Sequence, residues 1–140
     1  MVEWVRDENN MEDIDMARKG VMTKNAGCTG PYSHAVDAGD YVFLSGQTPI
    51  DPATGDVCEG GITEQTRQSF SNLFNVLAEA GLTPGHVQKV NVFLTDMDNF
   101  DAMNAVYQEQ FEAPYPARST VGVTGLCGGA LIEIEMIAKR

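Results

Sequence analysis

The stretch ALIEIEMIA at residues 130–138 sets Ile132, Ile134 and Met136 in alternation with Glu133 and Glu135. A period of two over that length fits a strand with one face on a core and the other turned away, and does not fit a helix. Upstream, 117–123 and 87–95 read as two further strands, the latter largely buried because Val90, Val92, Phe93 and Leu94 leave few polar positions. Between them, Asp98 is the expected cap of a helix with Asp101 in its first turn and Phe100, Met103, Tyr107 and Phe111 close to one face; Pro114 and Pro116 end it. A longer helix is predicted over 62–80, where Phe70, Leu73, Phe74 and Leu77 recur at i, i+3, i+4 and i+7, with Thr63 or Thr66 as cap and Gly81 at the exit. Before it, TPIDPATGD reads as a surface loop, and 33–38 and 41–45 flank Gly39-Asp40 as a hairpin with a two-residue turn. The order is β-β-α-β-α-β-β, with a further strand possible near Val21. It predicts an α+β fold: a sheet of five to six strands covered on one face by two helices. The other face then needs a partner or water, so oligomerisation is expected on structural grounds alone.

With 140 residues, 43% of them hydrophobic, the chain is the size of one domain and can bury a core. Of its formal charge of −11, nearly half falls in the first fifteen residues, MVEWVRDENNMEDID. Residues 1–20 are therefore expected to be an acidic, flexible extension, and 21–140 a single domain. The acidic balance opposes general binding to nucleic acid or anionic membranes. No apolar run is long enough for a membrane helix and the start lacks the pattern of a signal peptide, which makes the cytoplasm the default compartment. Cys28, Cys58 and Cys127 are an odd number without C-x-x-C spacing, so neither a disulfide framework nor a metal site is expected. Phosphate-binding loops, serine-hydrolase elbows and zincin motifs are absent from the sequence.

Arg118 opens an apolar strand, where a cation needs an anionic partner. Either Glu133 or Glu135 stitches two strands to it, or its planar fork receives a substrate carboxylate. Gly30-Pro31-Tyr32-Ser33 and Leu44-Ser45-Gly46-Gln47 place a phenol, hydroxyls and bare backbone at strand ends, as a turn or as the lining of a ligand site. His34 and His86 are the only imidazoles; His86 reads as solvated surface, and His34, at the start of a strand, is the better candidate for lining a site. The cysteines lie in or beside glycine-containing loops with no matching histidine, and read as bystanders.

Taken together, GPYSHAV (30–36), SGQTPIDPATGDV (45–57), QTRQSFSNLFNVLAEAG (65–81), VQKVNVFLTDMDNFDAMNAVY (87–107), PARSTV (116–121) and IEIEMIA (132–138) resemble the RidA (YjgF, L-PSP endoribonuclease-like) family of enamine/imine deaminases. The resemblance runs from about Val21 to the C-terminus. It implies a chorismate-mutase-like fold assembled as a homotrimer, with sheets packed into a central barrel and ligand clefts between subunits. It also implies hydrolysis of 2-enamino and 2-imino acids such as 2-aminoacrylate to 2-oxo acids and ammonia, with no metal or organic cofactor. By resemblance, Arg118 grips the substrate carboxylate and Glu133 orients or activates water. Tyr32 and Ser45 line the cleft, Gly46 offers a backbone N–H, Asn104 is a supporting amide, and Thr120 stands where many of these deaminases have cysteine. Gly122 replaces an acid often found there, His34 stands where glutamine is frequent, and Cys127-Gly128-Gly129 replaces a proline-containing or basic turn. These departures leave the Arg118–Glu133 pair intact. Two other readings are weighed: a non-catalytic trimeric binder of small carboxylates or holdase, and an endoribonuclease or translation inhibitor, against which the net charge and the lack of a basic patch count.

Overall fold

The computed structural model describes residues 17–140; the acidic stretch before them, with Trp4, lies outside the described residues. Six strands form one mixed sheet: β1 (Lys19–Val21), β2 (Ala35–Asp37), β3 (Tyr41–Gln47), β4 (Val87–Leu94), β5 (Ala117–Gly122) and β6 (Ile132–Lys139), with helices α1 (Ile62–Glu79) and α2 (Phe100–Gln110). The strand order is β1-β2-β3-β6-β4-β5, so the last strand runs between β3 and β4 and ties the N-terminal hairpin to the rest. Every pairing is antiparallel except β4–β5. The extra strand expected near Val21 is β1, which begins at Lys19, inside the stretch expected to be an extension.

The alternation in β6 does what its period requires. Ile132, Ile134, Met136 and Ala138 are buried under the helices, while Glu133, Glu135 and Ile137 face the other side. On α1, Phe70, Leu73, Val76 and Leu77 are buried against that surface and against α2. The rings of Phe70, Phe74, Tyr107 and Phe111 lock the two helices, with neighbouring centroids at 5.3–5.9 Å in tilted and edge-on arrangements. Polar residues of α1 are buried too, because they pin loops: Asn72 donates to the Ile50 carbonyl at 2.8 Å and the Gln65 side chain accepts from the Leu131 N–H at 2.8 Å.

Both expected helix caps move. At α1, Gly61 is the cap and its N–H is taken by the Glu64 carboxylate at 2.9 Å, whereas Thr66 bonds back to the Ile62 carbonyl inside the helix. Before α2, Asp96 rather than Asp98 caps a short 3-10 turn (Met97–Asn99), accepting from the Asp98 N–H at 2.9 Å. Strand β4 is not buried throughout: Val90, Val92 and Leu94 are, but Asn91 and Phe93 sit half-exposed on the opposite face.

That opposite face carries no helix among the described residues. Phe43 and Val121 are 49% and 46% exposed on it, beside Tyr41, Phe93 and Ile137.

Candidate functional site

Strand pairing decides where the two candidate ionic side chains go. Arg118 is opposite Val90 on β4, and Val90 is opposite Met136 on β6. Directly opposed residues share a sheet face, so Arg118 lies on the helix-covered side with those two buried neighbours. Glu133 is opposite Phe93, an odd step from Val90, and therefore projects from the open face. Within the chain the two residues point to opposite sides of the sheet, and the Arg–Glu strand stitch does not form. Glu135 instead accepts from the Asn91 amide at 3.0 Å.

On the helix side, Arg118 Nη1 donates to the Asn104 Oδ1 of α2 at 2.7 Å. The guanidinium carbon lies 4.6 Å from the Tyr107 ring centroid and 5.6 Å from that of Phe100. No carboxylate pairs with Arg118 among the described residues. It thus sits half-buried between two rings and an amide, and with Asn104, Tyr107, Tyr115 and Pro116 it lines an open cavity of about 400 Å³. Burial pushes the Tyr107 phenol above its usual range, with the cation pulling more weakly the other way, and its hydroxyl has no partner. Thr120 lies on the same face of β5, its hydroxyl buried and without partner, and it does not reach the cavity lining.

On the open face, a second cavity of about 360 Å³ brings together Tyr32, Ser45, Gly46 and Glu133, with Gly27, Thr29 and Cys127 as further walls. It exists because β3 bulges. Leu44 pairs with Met136 and Gln47 with Ile134, so one extra residue is fitted at Ser45–Gly46 and the strand bends around the Glu133 side chain. A methyl group on Gly46 would stand 2.9 Å from the Glu133 carboxyl carbon, so only glycine leaves the carboxylate its place. Burial, with Glu135 adding its charge, raises the Glu133 carboxyl above the ordinary glutamate value. Ser45 Oγ donates to the Ser33 carbonyl at 2.7 Å, leaving its lone pairs for a ligand. The Tyr32 hydroxyl accepts the Thr29 N–H at 3.1 Å.

The seven candidates of the sequence therefore separate into an Arg118–Asn104 half and a Tyr32–Ser45–Gly46–Glu133 half, with Thr120 beside the first. The aromatic bracket on Arg118 was not anticipated: Tyr107 and Phe100 read in the sequence as core stripe, and a cation on the facing strand was the one available hint of a second role. Of the cysteines, Cys127 turns out to border the Glu133 cavity, and no metal-binding cluster occurs among the described residues.

Residues 22–140 match the family described as Endoribonuclease L-PSP. The chain is 43% identical over 108 residues to the 2-iminobutanoate/2-iminopropanoate deaminase of Dermatophagoides farinae, covering 77% of this chain and 84% of that protein. A Rid-family protein of Yersinia pestis superposes with a TM-score of 0.85 at 43% identity, over 89% of this chain and all of its own. TdcF of E. coli, solved with bound serine, superposes with a TM-score of 0.83 at 40% identity, over 87% and 98% of the two chains. Fold, ordered motifs and these likenesses agree, and the chain belongs to the RidA/YjgF family of L-PSP endoribonuclease-like proteins.

Proposed function

We propose that the protein is a cofactor-independent 2-imino/2-enamino acid deaminase. It works in clefts formed where the Arg118 half of one subunit meets the Glu133 half of the next in a homotrimer. The observation that carries this reading is the split itself: one subunit holds an unpaired, pre-oriented arginine on one side of its sheet and a half-buried carboxylate with a raised pKa on the other. Neither half is a complete site, and the exposed Phe43 and Val121 supply an apolar face for the contact that would complete them. The deaminase name of a relative and the serine bound in another's structure support a small amino-acid-like ligand.

In this cleft the planar edge of Arg118 binds the substrate carboxylate by two parallel N–H···O bonds. C2 of the imine is already electrophilic, so positioning and proton transfer suffice. Water adds to C2 while Glu133 takes a proton from it and delivers one to the nitrogen, giving a tetrahedral amino alcohol. A second proton follows from the hydroxyl to the nitrogen, the C2–N bond breaks, and ammonia leaves as the 2-oxo group forms. No electrons enter or leave the balance. A carboxyl whose pKa burial and a neighbouring carboxylate raise above the ordinary glutamate value is the better suited to passing a proton on as well as taking one.

The test is pyruvate formation from 2-aminoacrylate generated in situ by a serine dehydratase. Wild type should accelerate it and Arg118→Ala should not; equal rates with and without wild-type protein would refute the reading. A binder without catalysis would keep ligand affinity in both wild type and Glu133→Gln and turn over in neither.

A further inference from the structure

Two acids of β6 line the cavity on the open face: Glu135 stands beside Glu133, two residues on along the same side of the strand, and both are half-buried. Register places Asn91 of β4 opposite Glu135, and its amide donates to Glu135 Oε1 at 3.0 Å. The second oxygen of Glu135 takes no hydrogen bond or ion pair among the described residues. Lys89, two residues from Asn91 on β4, gives its ammonium to Ser119 Oγ at 3.0 Å instead. No lysine, arginine or histidine lines the cavity; beyond the two acids its side chains are the hydroxyls of Thr29, Tyr32, Ser45 and Thr48, the Gln47 amide and the Cys127 thiol. Two carboxylates without a cation in one half-buried hollow repel each other, and a positively charged group on a ligand relieves that repulsion.

We propose that Glu135, held by Asn91, is the counter-ion of the substrate nitrogen as it leaves. The inference rests on the deaminase reading, in which Arg118 takes the carboxylate end of the substrate and the Glu133 cavity the end that bears nitrogen. The tetrahedral amino alcohol releases its nitrogen only after that nitrogen has become –NH3+. The proton comes from the C2 hydroxyl by way of Glu133; the nitrogen then departs as ammonia with the C2–N electron pair, and an oxygen lone pair closes the 2-oxo group. Between these two events the nitrogen carries a full positive charge. A fixed carboxylate stabilises that charge more than it does the uncharged nitrogen before and after, so it lowers the barrier beyond simply binding substrate. Glu133 is unsuited to this second task because it carries the proton and is uncharged while it does so. Asn91 is a positioning residue: it fixes one oxygen of Glu135 and leaves the other for the ligand.

Binding of L-alanine and L-lactate tests this without turnover. The two share a carboxylate and a tetrahedral C2 and differ in carrying –NH3+ or –OH there, so alanine reproduces the charged nitrogen. Calorimetry on the full chain should show alanine bound roughly tenfold more tightly than lactate, and Glu135→Gln should remove that preference while keeping the affinity for lactate. Glutamine still offers an oxygen to the Asn91 amide, so the link between β4 and β6 survives the substitution, and a purely structural role for Glu135 would leave the preference untouched. No preference in wild type, a preference undiminished in Glu135→Gln, or one lost only in Glu133→Gln overturns the assignment; the wild-type comparison decides by itself should the variant fail to fold. In the pyruvate assay Glu135→Gln should lower kcat about tenfold with KM little changed, because the charge it meets exists only after water has added. Wild-type turnover with an equal kcat in Glu135→Gln overturns the counter-ion and leaves the deaminase standing. Absence of turnover in wild type, beside an alanine preference that needs Glu135, counts against the deaminase alone.

Discussion

Replacing Gly46 by alanine separates the position of the Glu133 carboxylate from the integrity of the fold. The added methyl group would lie 2.9 Å from the Glu133 carboxyl carbon, 3.0 Å from Oε1 and 3.1 Å from Cγ. Ordinary contact of such atoms begins near 3.4 Å, so the carboxylate must withdraw by about half an ångström to an ångström. Gly46 is not among the glycines with positive φ, so the backbone tolerates alanine. The obstructing atoms are the end of a half-exposed, flexible side chain, so the stability cost should be at the low end of overpacking, about 1 kcal/mol. Catalysis should suffer more: misplacing a reacting group by about an ångström costs on the order of 10²-fold, close to 2.7 kcal/mol of transition-state binding. Pyruvate release from 2-aminoacrylate, read beside thermal unfolding of the same preparation, measures both. Near-wild-type turnover in folded Gly46→Ala protein would refute the claim that the bulge exists to seat Glu133.

Arg118→Lys keeps the charge but loses the planar fork, the Asn104 bond and the ring stacking, and should lose activity on the order of 10²-fold, nearly as much as Arg118→Ala, with folding retained; full activity of the lysine variant in the pyruvate assay would show that charge alone suffices. Glu133→Gln should abolish turnover while a small 2-oxo acid still binds, as read by calorimetry. The same variant should be the more stable protein near neutral pH. The raised pKa of Glu133 means the fold favours its protonated form, so its contribution is fully present below the ordinary glutamate pKa of 4.5 and is lost as pH rises through the higher folded value. The melting-temperature advantage of Glu133→Gln should therefore shrink as the pH is lowered below that range; an advantage independent of pH would point to packing instead.

Much of the layer structure is written locally. The alternation at 132–138 yields β6, the i, i+3, i+4, i+7 apolar series yields α1, and Gly39-Asp40 marks the β2–β3 turn. What the sequence does not carry is parity between strands. In ARSTVG no alternation tells which face Arg118 takes; that follows only from the parallel pairing of β5 with β4, which brings it opposite Val90. The β3 bulge at Ser45–Gly46 is equally silent, because one extra residue changes facing without changing composition. Hence the sequence offers Arg118 and Glu133 as candidates, but not their division between two sides of the sheet. The same holds for Tyr107, whose apolar stripe position conceals that its ring also stacks on a cation.

The composite cleft is tested most directly by subunit complementation. Arg118→Ala and Glu133→Gln proteins, each inactive alone, are unfolded together and reassembled in equal amounts. If a cleft takes its arginine from one subunit and its glutamate from the next, random trimers contain about one intact cleft in four, and about a quarter of wild-type activity should return. Were both residues to serve one site within a single subunit, the mixture would stay as inactive as its parents, and that result would contradict the account.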